Sequence, residues 1–144
     1  LFAGSGALGI EALSRGAESC VFVERDRAAL QALRSNIATL GIAERCTVHA
    51  TDVMAWVPAM RNIDIAFIDP PYELIPELAP GLFARLTTLL AGRPDALVVF
   101  EYPGELELAP PGWELRRRLG KGARQPTVGF FRAVREQGAV IGDR

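Results

Sequence analysis

The segment Asp69-Pro70-Pro71-Tyr72 carries the residue types best suited to chemistry on an amine. Two prolines fix the backbone and remove two N–H donors, so the carbonyls there point outward as acceptors. An exocyclic amine on a nucleic-acid base has two N–H donors and a lone pair delocalised into the ring. Accepting both hydrogens, with the Asp69 carboxylate and the Pro70 carbonyl, pulls that lone pair toward an incoming methyl carbon. Tyr72 offers a face for the base to stack on, worth about 1–3 kcal/mol, and stacking needs its ring rather than its hydroxyl. Such a base must be flipped out of a helix or already unpaired. Asp-Pro-Pro is also turn chemistry, so by itself the segment leaves a rigid loop open as a reading.

A second constellation lies upstream. Gly4-Ser5-Gly6-Ala7-Leu8-Gly9 fits G-x-G-x-x-G, where glycines let the backbone turn from strand to helix and approach a ligand closely. The pattern suits a nicotinamide or flavin enzyme as well as a methyltransferase, and a purely structural glycine turn stays open. Glu24 falls close to the ~20-residue offset at which a carboxylate accepts from ribose hydroxyls. Asp26 is better explained as a helix cap. Asp52 is placed either to accept from an adenine amino group or to cap the turn after it. Glycine loop, Glu24 and Asp69–Tyr72, in that order, favour a donor-binding turn facing an amine-holding strand end.

Strands and helices must alternate to hold these groups. Helical spacing runs over Ala7–Arg15 and Arg27–Leu40, the second between an Asp26 cap and Gly41, and again over Pro76–Leu90. Short apolar runs at Ser19–Glu24, Cys46–Ala50, Ile63–Ile68 and Ala96–Glu101 read as strands. Trp113–Leu119 and Thr127–Val134 read as two final strands joined by a Gly/Arg loop. Near-continuous apolar strands alternating with helices call for an α/β, doubly wound, mostly parallel sheet covered on both faces. The short last connection cannot join parallel strands, so an antiparallel hairpin is expected at one edge.

The 144 residues suffice for one domain, and 49% hydrophobic with 23% charged residues is a globular composition. No apolar run reaches the roughly 20 residues that span a bilayer. A net charge of −1 argues against strong electrostatic binding by the molecule as a whole. The charge is uneven, however: Arg116, Arg117, Arg118, Lys121, Arg124, Arg132 and Arg135 face one acid, Glu114, between Trp113 and Arg135. That run reads either as a phosphate-facing patch or as a solvated strand and turn. Cys20 and Cys46 lie far apart without metal-ligand spacing and are expected to be small buried thiols in a reducing cytoplasm. His49, in an apolar stretch, is expected to be structural.

The run from Leu1 to Gly16 (LFAGSGALGIEALSRG), with Val23-Glu24-Arg25-Asp26-Arg27 and Asp69-Pro70-Pro71-Tyr72, resembles the bacterial RsmD-type enzymes over nearly the whole chain. These methylate N2 of a guanine in small-subunit ribosomal RNA. The resemblance implies a Rossmann-like class I methyltransferase fold with S-adenosyl-L-methionine as methyl donor. It implies that Phe2, Ala3, Gly4 and Gly6 surround the methionine part, Glu24 holds the ribose and Asp52 approaches the adenine. Asp69, Pro70, Pro71 and Tyr72 would hold the target guanine. The implied partner is 16S rRNA, within a partly assembled 30S subunit. A cytoplasmic monomer without metal or membrane attachment is expected.

Members of that family carry a further N-terminal segment and a complete first strand. Leu1-Phe2 opens directly against the glycine loop, so the first strand is read as mostly missing from a catalytic domain over 1–135, with 136–144 a flexible tail. That strand would lie mid-sheet, and the chain as it stands is expected to fold poorly. DNA adenine-N6 or another amino-methylation, such as that of glutamine N5, is the nearest alternative, although those enzymes usually carry Asn at the place of Asp69. A nicotinamide-dependent oxidoreductase shares the loop and Glu24 but leaves Asp-Pro-Pro-Tyr unexplained.

Overall fold

The computed structural model describes residues 1–58, 62–120 and 125–134. Lys121, Arg124 and Arg135 of the basic run, and the tail 136–144, lie outside the described residues. In chain order the elements are α1 (Ala7–Ser14), β1 (Cys20–Glu24), α2 (Arg27–Leu40), β2 (Cys46–Ala50), β3 (Ile65–Ile68), α3 (Ile75–Leu89), β4 (Leu97–Pro103), β5 (Trp113–Leu119) and β6 (Pro126–Ala133). Single 3₁₀ turns occupy Ala43–Arg45 and Tyr72–Leu74. Most boundaries fall within a residue or two of the sequence expectation, the usual uncertainty of frayed ends. β3 starts at Ile65 rather than Ile63; just before it the Asp64 carboxylate lies 3.3 Å from Arg93 and its carbonyl accepts from Leu97 N–H at 2.9 Å.

The residues fall into two compact units, Leu1–Ala59 with Phe67–Pro71, and Met60–Ala66 with Tyr72–Arg144. In the first, β1 and β2 pair in parallel, from Cys20 opposite Cys46 to Glu24 opposite Ala50. Helix α2 begins where the Asp26 carboxylate accepts from Ala29 N–H at 2.8 Å and ends at Gly41, whose φ of 66° suits a residue without Cβ. Its buried face, Leu33 and Ile37, meets Phe22, with Ala3, Ile10, Cys46 and Val48 packed around them. Arg45 gathers the end of α1, donating to the carbonyls of Leu13 (3.1 Å), Ala17 (2.6 Å) and Glu18 (3.3 Å). This guanidinium thus pins the turn between α1 and β1.

The third glycine of the loop motif fixes how closely α1 lies on β1. A Cβ at Gly9 would come within 2.4 Å of the Phe22 ring and 2.7 Å of the Cys20 sulfur. Phe22 is buried, and overpacking a close-packed site typically costs about 1–3 kcal/mol. Gly9→Ala should therefore lower the denaturation midpoint by a corresponding amount; an unchanged midpoint in urea would mean that helix and strand are not held this tightly.

The second sheet has the order β3-β4-β6-β5, with Ile65 and Ala66 of β3 counted in the second unit and Phe67 and Ile68 in the first. β6 pairs antiparallel with both β4 and β5, giving the edge hairpin expected from the short connection. α3 links β3 to β4, a connection of the length that a parallel pair requires. Its Phe83 stacks on Phe100 at 5.5 Å and meets Phe131 edge-on at 5.3 Å, while Trp113 Nε1 donates to Thr87 Oγ1 at 3.0 Å. Alternation along β4 buries Val98, Phe100 and Tyr102 and turns Val99 and Glu101 to the other face. No helix of the described residues is long and apolar enough to cross a membrane.

Candidate functional site

The segment Leu1–Ala3 supplies the floor of the first unit. The backbone nitrogen of Leu1 donates to Phe67 O at 2.8 Å, and Ala3 N–H donates to Val23 O at 3.1 Å. These three residues, although not a strand by their own pairing, are thus hydrogen-bonded to β3 on one side and β1 on the other. The glycine loop leaves from Ala3, Glu24 follows Val23 at the end of β1, and Asp69 follows β3.

Within the loop the backbone turns through three left-handed residues, Phe2 (φ 56°), Gly4 (φ 57°) and Gly6 (φ 88°). Phe2 is the unusual one, since a bulky side chain rarely adopts this conformation and does so mostly where a site demands it. The two glycines do different work. Gly6 abuts the core, where an added Cβ would lie 2.4 Å from Leu33. Gly4 would meet nothing within 4 Å, so its side of the loop is open for a ligand to come close to the backbone.

Glu24 ties the loop to its strand. Its Oε1 accepts from Gly4 N–H at 2.9 Å, while Oε2 accepts from Arg25 N–H at 2.7 Å and Asp26 N–H at 2.9 Å. An ionised carboxylate has about four acceptor positions, which leaves one on the loop side for an outside donor. Asp52 caps the turn after β2, accepting from Met54 N–H at 2.8 Å, and its second oxygen pairs with Arg25 at 3.1 Å. Of its two sequence readings, capping is the one that the geometry displays.

Asp69 is exposed beside a buried Pro70 and an exposed Pro71. Asp69 lies in the same compact unit as the glycine loop and Glu24. Tyr72 belongs to the second unit, where its hydroxyl donates to Glu101 Oε1 at 3.1 Å. The hydroxyl thus has a partner of its own, apart from the ring face. Glu101 escaped the sequence reading, although it is the sole charged residue of the apolar run Leu97–Pro103 and so had a signal.

The basic run is more committed than its composition suggests. Arg118 donates to Gly104 O and lies 5.9 Å from the centre of the Tyr102 ring, and Arg116 sits 3.5 Å from Glu114. Arg132 donates to Asp95 O at 2.7 Å. A register shift falls between Leu115 and Arg117, and Arg116, Arg117 and Arg118 are all exposed. Cys20 and Cys46, distant in sequence, face each other across β1 and β2. Burial pushes the Cys20 thiol up to about 11 and raises Cys46 as well, which suits inert protonated thiols. The His49 ring lies 5.8 Å from that of Trp56.

The profile of the family described as conserved hypothetical protein 95 matches residues 1–129. The chain is 38% identical to the Bacillus subtilis protein YlbH over 112 residues, 75% of this chain and 60% of that protein. It is 35% identical over 122 residues to ribosomal RNA small subunit methyltransferase D of Escherichia coli (strain K12), 81% of this chain and 59% of that one. A solved structure of a conserved hypothetical protein from Streptococcus pyogenes superposes with a TM-score of 0.76 at 28% identity, covering 92% of this chain and 82% of its own. The chain spans about 60% of the length of these curated relatives.

Proposed function

The chain belongs to the RsmD-type family and has the Rossmann-like fold of class I methyltransferases, and on that footing we propose that it transfers a methyl group from S-adenosyl-L-methionine to N2 of a guanine in small-subunit ribosomal RNA. The observation that carries this reading is the floor segment Leu1–Ala3, hydrogen-bonded to both β1 and β3. The open glycine loop, Glu24 and Asp69 belong with it to one compact unit, which supports a donor opposite an acceptor-held amine.

The residues present fit the donor. Gly4 offers an open, left-handed approach and Glu24 retains an acceptor position on the loop side. Phe2, Ala3, Gly4 and Gly6 would surround the methionine part, Glu24 would take a ribose hydroxyl, and Asp52 would approach the adenine. When bound, the cofactor supplies an electrophilic methyl carbon. The Asp69 carboxylate and the Pro70 carbonyl accept the two amine hydrogens, which turns the nitrogen lone pair out of conjugation, and Tyr72 carries the base. The catalytic domain is taken to cover 1–135, working in the cytoplasm on 16S rRNA within a partly assembled 30S particle.

Two assays test this. Titration calorimetry should show heat with S-adenosylmethionine and none with a nicotinamide dinucleotide; the reverse would return the site to hydride chemistry. Labelled methyl should then appear in small-subunit RNA and not in duplex DNA, whereas labelled DNA would defeat the substrate assignment.

The edge strand offers a graded check on the RNA partner. Arg117→Ala should weaken RNA binding without altering donor affinity, and should reduce the slope of log affinity against log salt by about 0.7–1, the value of one phosphate contact. An unchanged slope would assign Arg117 to solvent.

A further inference from the structure

We infer that Glu101 is a positioning residue for the base platform: through the hydrogen bond it accepts from Tyr72, it fixes the plane on which the target base stacks. The inference rests on the reading of Tyr72 given above and adds a residue outside the motifs that first drew attention to the site. Both residues belong to the second unit, with Tyr72 Oη 3.1 Å from Glu101 Oε1.

The backbone around Tyr72 is already constrained. Pro70 and Pro71 precede it, a 3₁₀ turn holds Tyr72–Leu74, and α3 begins at Ile75 with Pro76 in its first turn. Prolines restrict φ, so the freedom left to the ring is that of its own side-chain torsions. The ring is 37% exposed, and the hydroxyl bond to Glu101 restrains those torsions from its far end.

The acid is placed in turn by its strand. β4 buries Val98, Phe100 and Tyr102 on one face, and Glu101, half-buried on the other, stands in register with Val128 of β6. A lone carboxylate in an otherwise apolar strand is costly without a partner, and here the Tyr72 hydroxyl is one. A platform fixed before the base arrives spares the ordering that binding would otherwise require. The effect should therefore fall on recognition of RNA and leave the chemical step alone.

The test compares Glu101→Ala, Glu101→Gln, Tyr72→Phe and the double variant Tyr72→Phe with Glu101→Ala, using methyl transfer to small-subunit RNA and a thermal melt. Glu101→Ala and Tyr72→Phe should each raise KM for RNA by about 3–10-fold, the loss of one charge-assisted hydrogen bond discounted for exposure, with kcat and Tm held. The double variant should be no worse than either single change, because both break the same bond. Glu101→Gln should restore KM, since an amide oxygen still accepts from the hydroxyl. Additive effects, or a fall in Tm with KM unchanged, would overturn the role. Failure of the unsubstituted protein to methylate RNA is a separate result, which defeats the methyl-transfer reading and removes Glu101's role with it.

Discussion

Asp69→Ala should abolish methyl transfer while S-adenosylmethionine still binds. The carboxylate stands where β3 ends, exposed beside a buried Pro70, and in the proposed mechanism it accepts one of the two amine hydrogens. Without it, the nitrogen lone pair stays in conjugation with the ring, and one preorganised electrostatic contact to the reacting group is lost. Removing a single such contact elsewhere costs roughly 10²–10³-fold in kcat. Asp69→Asn should keep more activity than the alanine variant, because its amide oxygen still accepts. The donor is assigned instead to the glycine loop and Glu24, so its Kd by calorimetry should change little. A large loss of donor affinity in Asp69→Ala would place this carboxylate on the cofactor and break the division of labour proposed here.

The reverse split is expected of Glu24→Gln. The native carboxylate accepts from three backbone N–H groups, of Gly4, Arg25 and Asp26. A glutamine offers one carbonyl oxygen and turns its NH₂ toward one set of those donors, so either the loop or the strand end loses its partner. Hydrogen bonds to charged groups are worth about 1.5–3 kcal/mol, which corresponds to a loss of donor affinity of roughly 10–100-fold. At saturating donor, kcat should recover most of its native value, since Glu24 touches neither the amine nor the base. Unchanged donor affinity would mean that Glu24 merely closes a turn.

Much of this arrangement could be read before any coordinates. Helix α2 announces itself through Asp26 and Gly41, because capping is a local property of two residues. The edge hairpin follows from a connection too short for parallel strands. The glycine pattern could be read as a turn, but not the separate duties within it: that Gly9 and Gly6 are forced by Phe22 and Leu33, while Gly4 faces open space, depends on which side chains the fold brings near. Contacts distant in sequence were hidden for the same reason. The register of β1 on β2 sets Cys20 against Cys46, and the sheet carries Glu101 to Tyr72 across 29 positions. The arginine run shows the opposite failing, since composition counted charges that the structure commits to Gly104, Glu114 and Asp95.

The identity of the modified nucleoside tests the central claim most directly. Small-subunit RNA from cells lacking the gene, treated with the protein and S-adenosylmethionine and then digested to nucleosides, should yield one new species by mass spectrometry, N2-methylguanosine. Methyl found on adenine N6, or no new methylated nucleoside at all, would contradict the account.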